Sequence, residues 1–171
     1  MKVGASPITL DDIEGVVEGR EEVEIAESAK RPIRNAAAFV RDKAESGEPV
    51  YGVTTGFGAN RDRVIDHEDA DTLQERLIMS HASGVGPPLP VDIVRAMMFL
   101  RINALAQGNS GIRLQTLQLL VDMLNRGVHP KVPELGSVGA SGDLCPLAHM
   151  CMPIIGHGEV EYDGPVTDGA E

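Results

Sequence analysis

Apolar positions recur at helical spacing through most of this chain. Thr9 precedes two acids and a short apolar run that stops at a glycine, so Ile8 to Gly19 predicts a short helix with Thr9 as its N-cap. The EEVEI string then alternates charge with Val23 and Ile25, the pattern of a short strand. From Ala26 to Ser46, Ala29, Ile33, Ala36, Ala37 and Val40 keep helical spacing up to Gly47, with Pro32 the one awkward residue. Val50 to Asp62 carries three glycines and two threonines with no period and reads as a loop, and Asp69 to His81 reads as a helix with Leu73, Leu77 and Ile78 on one side. Paired Gly and Pro break the pattern from Ser83 to Pro90.

Val91 to Gln107 and Ile112 to Arg126 predict two strong helices separated by GNSG, the second ending at Gly127. Both are apolar on nearly every side, which calls for burial among more helices than this chain supplies. A proline-containing loop, HPKVPELGSVG, leads into a turn of small residues. The helical run DLCPLAHMCMPIIG follows, weakened by Pro153 and His157, and Gly158 to Gly164 reads as a strand with a turn. The fold class expected is mainly α with short strands, and no internal repeat is visible.

Composition narrows the function classes. Fifteen basic against twenty-six acidic side chains give a net charge of -11, which disfavours nucleic acid and anionic lipid as partners. Cys145 and Cys151 cannot form a disulfide framework and read as free thiols of a reducing compartment. No run of about 18 apolar residues occurs, nor an amino-terminal apolar leader, so a cytoplasmic protein without a membrane partner is expected. With no Trp, three Phe and two Tyr, the core must be built from aliphatic residues and Met.

The string GSVGASGDL, Gly136 to Leu144, carries the most unusual chemistry. A nucleophile elbow would need glycine where Asp143 stands, and a phosphate loop would need a lysine that is absent. Two readings remain open from the residues alone. One is a flexible turn capped by Asp143 at the start of the next helix. The other is cyclisation, because Gly142 leaves its backbone nitrogen unhindered, Ala140 is small and Ser141 can lose water. Attack of the Gly142 nitrogen on the Ala140 carbonyl carbon, followed by dehydration of Ser141, gives a five-membered ring with an exocyclic methylidene, a strong electrophile.

GSVGASGDL followed by PLAHM resembles the prosthetic-group motif of the aromatic amino acid ammonia-lyases and aminomutases. The resemblance extends over YGVTTGFGA at Tyr51 to Ala59, LQERLIMSHASGVGPPL at Leu73 to Leu89, and RINALAQGNSGIR at Arg101 to Arg113. It implies that residues 1–171 are the amino-terminal segment of a helical-bundle lyase fold with a glycine-rich lid loop. It also implies that Ala140, Ser141 and Gly142 form 4-methylideneimidazole-5-one autocatalytically, with Asp143 assisting the dehydration. Tyr51 is expected on the lid, taking the substrate β-proton, with Gly56 and Gly58 as hinges. A phenol is a feeble base near neutral pH, so positive charge or helix N-termini are needed nearby.

Within this family the pair at Ser80 and His81 sorts substrates, and Ser-His resembles the histidine-specific members, whose substrate is L-histidine and whose product is trans-urocanate. Read alone, His81 is a cap or core histidine at a helix end. A polar imidazole can hydrogen-bond a substrate ring, and unpaired polar groups penalise the wrong ligand. His67, His129, His149 and His157 lack partners at metal-ligand spacing and read as structural or surface residues; neither metal nor nucleotide is expected. Cys145 replaces the alanine common here in related lyases, a change a small thiol should allow. Family members run much longer, with further site residues downstream, so a complementary carboxy-terminal polypeptide or a homo-oligomer is expected to complete the site. The alternatives are an inactive truncated paralogue, or a tyrosine or phenylalanine lyase or aminomutase.

Overall fold

A computed structural model describes residues 1–65, 67–140 and 142–170, with backbone alone at 67–71. The elements run β1 (Lys2–Val3), α1 (Leu10–Val17), β2 (Glu24–Ile25), α2 (Glu27–Ser46), α3 (His67–His81), β3 (Val85–Pro88), α4 (Val91–Leu105), α5 (Leu114–Asn125), β4 (His129–Pro130), β5 (Pro133–Leu135), α6 (Leu144–Cys151), β6 (Glu159–Glu161) and β7 (Val166–Asp168). The mainly helical expectation holds. Thr9 caps α1 through a capping box: its hydroxyl accepts from the Asp12 amide at 3.3 Å, while the Asp12 carboxylate accepts from the Thr9 amide at 2.7 Å. α2 accommodates Pro32 in its second turn and ends at Gly47, whose φ of 69° needs no side chain in the way.

Two segments expected to be loop are strands instead. Val85 opposes Leu135 and Pro88 opposes Pro133, so the Ser83 to Pro90 break and the loop after Pro130 pair antiparallel as β3 and β5. Proline hid them, because it lacks the amide that a ladder uses and the register shifts between the two pairs. β1 pairs parallel with β2, and β4, β6 and β7 form an antiparallel sheet that includes the strand expected near Gly158. No helix among the described residues is long and apolar enough to cross a membrane.

The core lies where α1, α2, α4 and α5 meet. Val16, Ile33, Met98, Phe99, Ile102, Leu117, Val121 and Leu124 are almost wholly removed from water there. Both central helices do bury a face inside this chain, but Ile93 and Leu100 on α4 and Leu119 on α5 stay exposed.

Polar side chains tie this body together. Arg95 on α4 donates to the carbonyls of Val16 at 2.7 Å, Val17 at 2.9 Å and Leu124 at 3.1 Å, which are the carbonyl ends of α1 and α5, and to Nε2 of His129 at 3.1 Å. Asn125 pairs with both backbone groups of Val23, accepting at 2.9 Å and donating at 2.8 Å.

His129 is held below the ordinary imidazole pKa, first by burial and then by the Arg95 charge, with Glu161 opposing; burial lowers His149 too. The unfolded chain therefore takes up protons at a pH where these folded imidazoles stay neutral. Their contribution to stability is complete above about pH 6.5 and is lost as the pH falls below it toward the folded values. The thermal midpoint should be lower at about pH 5.5 than at about pH 7.5. His129→Gln, which keeps an acceptor for Arg95, should remove part of that difference. A midpoint equal at the two pH values would contradict the burial of both rings.

Candidate functional site

A cleft of about 1170 Å³ opens between the Tyr51–Ile65 loop, α3 and α6. Leu144, Leu147, Ala148 and Cys151 line it from α6, at the i, i+3, i+4, i+7 spacing of a single helical stripe, and Leu73, Leu77 and His81 line it from α3. Tyr51, Gly56, Phe57 and Gly58 line it from the loop. Residues from three separated stretches of sequence thus meet at one cavity.

The loop folds around its two threonines. Thr54 and Thr55 are the buried polar residues of the chain's described part. The Thr54 hydroxyl accepts from the Val50 amide at 2.8 Å and donates to the Glu48 carbonyl, while Thr55 donates to the Gly56 carbonyl at 3.1 Å. The Gly56 amide donates to the Arg63 carbonyl at 3.0 Å and the Ile65 amide to the Thr54 carbonyl at 2.9 Å, closing the loop as a short ladder. The two glycines expected as hinges differ in role. Gly58 takes a φ of 55°, whereas Gly56 is a close approach: a Cβ there would stand 2.7 Å from the Asn60 carbonyl oxygen. Tyr51 is 64% exposed, meets Phe57 edge to face at a centroid distance of 5.9 Å, and its hydroxyl accepts from the Gly58 amide at 3.4 Å. It is not a core packing residue.

His81, the last residue of α3, lines the cleft and bonds back to its own helix through one ring nitrogen. Nδ1 lies 2.8 Å from the Leu77 carbonyl oxygen, which can only accept, so Nδ1 carries the proton. In the neutral ring Nε2 is then an acceptor, and it has no protein partner among the described residues. Ser80 donates to the same carbonyl at 2.8 Å, is exposed, and does not line the cleft.

Arg63 and Arg76 also line the cleft, and no carboxylate does among the described residues. Residue type and spacing carry no sign of this, since arginines on an acidic chain read as solvated surface.

Ala140 and Gly142 are exposed and precede Leu144, the first α6 residue in the cleft wall; Ser141, singled out in the sequence, lies outside the described residues. Gly142 has a φ of 97° and Gly139 one of 74°, and among the described residues no atom beyond the chain neighbours lies within 4 Å of where a Cβ would stand at either. Backbone this unhindered fits the closure of a ring between Ala140 and Gly142. Asp143 occupies the N-cap position of α6, but its carboxylate makes no capping bond. It accepts instead from the Ser137 hydroxyl, correcting the expectation that it satisfies the helix amides. Among the other histidines, His157 pairs with Glu75 at 2.9 Å, and the side chain of His67 lies outside the described residues. Among the described residues no group of three His, Cys, Asp or Glu side chains could hold a metal.

A family model of aromatic amino acid lyases matches residues 8–171. The histidine ammonia-lyase of Alkaliphilus oremlandii is 50% identical over 169 residues, covering 99% of this chain and 33% of its own. Among solved structures, ergothionase of Treponema denticola superposes with a TM-score of 0.94 at 32% identity, over 99% of this chain and 34% of its own. The histidine ammonia-lyase of Trypanosoma cruzi gives 0.85 at 35%, over 99% and 33%. The chain therefore spans about a third of the length of the relatives it matches.

The Gly56 contact makes the loop testable. Gly56→Ala should force the turn away from Asn60, at a strain of about 1–3 kcal/mol. Hydrogen exchange at the Ile65 and Arg63 amides should then accelerate about tenfold or more, with the α4 and α5 amides unaffected. Unchanged protection at Ile65 would show that the ladder does not hold the loop.

Proposed function

Because this chain belongs to the aromatic amino acid lyase family, we propose that it is the amino-terminal portion of a histidine ammonia-lyase, eliminating ammonia from L-histidine to leave trans-urocanate. The observation that carries the substrate choice is His81, whose Nδ1 is committed to the Leu77 carbonyl while its ring lines the cleft. A neutral His81 offers Nε2 as an acceptor, and the imidazole N–H of histidine supplies the matching donor. A phenyl ring has none. The fold likeness alone does not choose, since ergothionase shares it as fully.

The remaining roles rest on the motif resemblance, and the cavity is compatible with them. Tyr51, exposed at the cleft on a loop closed by its own hydrogen bonds, is the residue assigned to the β-proton, and loop opening would admit substrate. Arg63 and Arg76 give the cleft a positive potential suited to a carboxylate. The apolar stripe of Leu144, Leu147 and Ala148 excludes water from one side of the ring. Ala140, Ser141 and Gly142 would supply the atoms of 4-methylideneimidazole-5-one, whose methylidene offers an electrophile to the substrate amine. The rest of the site is assigned to the remaining two thirds of the lyase fold, on the same or a complementary polypeptide and in a homo-oligomer, with a cytoplasmic location.

Co-expression of this chain with that remainder, followed by urocanate absorbance on adding histidine, tests the reading against a truncated, noncatalytic paralogue. Turnover is expected, and Ser141→Ala should reduce it to background. The mature chain should also weigh about 36 Da less than its sequence mass, from loss of two waters on ring closure. Turnover that survives Ser141→Ala would remove the prosthetic-group assignment.

Substrate choice has its own test in His81→Phe. Loss of one buried hydrogen bond costs about 1–3 kcal/mol, so the ratio of kcat/KM for histidine over phenylalanine should fall about tenfold or more. An unchanged ratio would mean that His81 does not read the ring.

A further inference from the structure

The segment just after α3 and the last turn of α6 are joined at a point that the chemistry above leaves unused. Beyond His81 the chain passes through Ser83 to Gly84, and the Gly84 amide donates to Nε2 of His149 on α6 at 3.0 Å, across 65 residues of sequence. The surroundings leave little room for adjustment. A Cβ on Gly84 would stand 3.1 Å from that Nε2 and 3.2 Å from Sγ of Cys145; one on Gly136 would stand 2.5 Å from the same sulfur and 3.0 Å from the Gly84 Cα. At the next residue β3 begins to pair with β5, Val85 against Leu135.

α6 therefore has two working faces. Cys145 and His149, one turn apart, meet Gly84, while Leu144, Leu147, Ala148 and Cys151 line the cleft. An acceptor is what the Gly84 site requires, because an aliphatic side chain would leave a half-buried amide unpaired. A directed hydrogen bond also fixes distance in a way that a sliding apolar contact does not. Burial lowers the His149 pKa, which keeps the ring neutral and Nε2 available as the acceptor.

We propose that His149 is a positioning residue: its bond to Gly84 sets where the His81 end of α3 stands relative to α6. The inference rests on the reading of His81 as the residue that meets the substrate ring. His149 touches neither substrate nor reacting atoms in this account; it acts through Gly84 and then His81.

The test compares wild type with two variants, His149→Leu and His149→Gln, the last replacing Nε2 with an amide oxygen that can accept the same bond. In the chain itself, Gly84 amide exchange should be slow in wild type, about tenfold or more faster in His149→Leu, and largely restored in His149→Gln. The His81 ring resonances should shift in His149→Leu and return in His149→Gln. In the assembled lyase, His149→Leu should raise KM for histidine about tenfold while kcat changes less than about threefold, again with recovery in His149→Gln. A Gly84 amide that exchanges freely in wild type overturns the proposal, as does a folded His149→Leu whose His81 resonances do not move. If His149→Leu does not fold, wild-type Gly84 exchange and the His149→Gln comparison decide. A wild-type assembly that fails to turn over histidine counts against the proposed function, while the exchange and resonance readouts still judge the Gly84 to His149 link.

Discussion

The contact between the backbones of Gly84 and Gly136 governs how the functional half of this molecule is put together. A side chain at Gly136 would collide with the Cys145 sulfur at 2.5 Å, so the β5 end lies this close to α6 because Gly136 lacks a Cβ, while one at Gly84 would press on His149 and Cys145 at 3.1 and 3.2 Å. That approach brings the last turn of α3, with His81, beside the first turn of α6, and the cleft is the space left between the two helices and the Tyr51–Ile65 loop. It also explains how the Cys145 side chain is accommodated. The two glycines leave room for a sulfur that is itself buried and packed against them.

The other half of the molecule is held by different means, and the division has consequences. Around Phe99, Met98 and Leu117 the core is dry and aliphatic, and it would accept a guanidinium only with its donors paired. Arg95 meets that condition by donating to three carbonyls at helix ends and to a neutral His129, so its desolvation is offset by acceptors already carrying partial negative charge. Asn125 does the same work for β2 through Val23. These ties lock α1, α4 and α5 into a frame. The site stands on α3, α6 and a loop at its edge, where fewer apolar side chains are buried and local opening costs less.

How much of this was legible in the sequence depended on whether the determining partner was near in the chain. The helices were, because apolar spacing and glycine stops are local: the expected Ala26 to Ser46 became Glu27–Ser46, and Asp69 to His81 became His67–His81. The strands holding Pro88 and Pro133 were not, since proline weakens the pattern and only pairing across some 45 residues defines them. Asp143 was placed rightly at the N-cap of α6, yet Ser137 draws its carboxylate away from the amides, a competition that residue type cannot reveal. The same limit hid Arg63 and Arg76 in the cleft and the tie between His149 and Gly84. Motif resemblance reached further than periodicity, bringing Tyr51 and His81 forward as candidates before the fold set them on one cavity.

Charge poses the last question of fit, because a chain of net charge -11 is an unpromising host for a carboxylate. Screening resolves it. At physiological salt the field of a surface charge fades over about 8–10 Å, so what a small ligand meets inside the cleft is set by the side chains lining it. Those are two guanidinium groups and, among the described residues, no carboxylate. Both arginines are exposed, which keeps their attraction modest, since ion pairs in water are worth little. On the proposed reaction that weakness is useful. The substrate brings an ammonium group with its carboxylate and the product keeps only the carboxylate, so a buried cationic clamp in this part of the site would hold product more tightly than substrate. Exposed arginines can draw in an amino acid without retaining the anion it leaves behind.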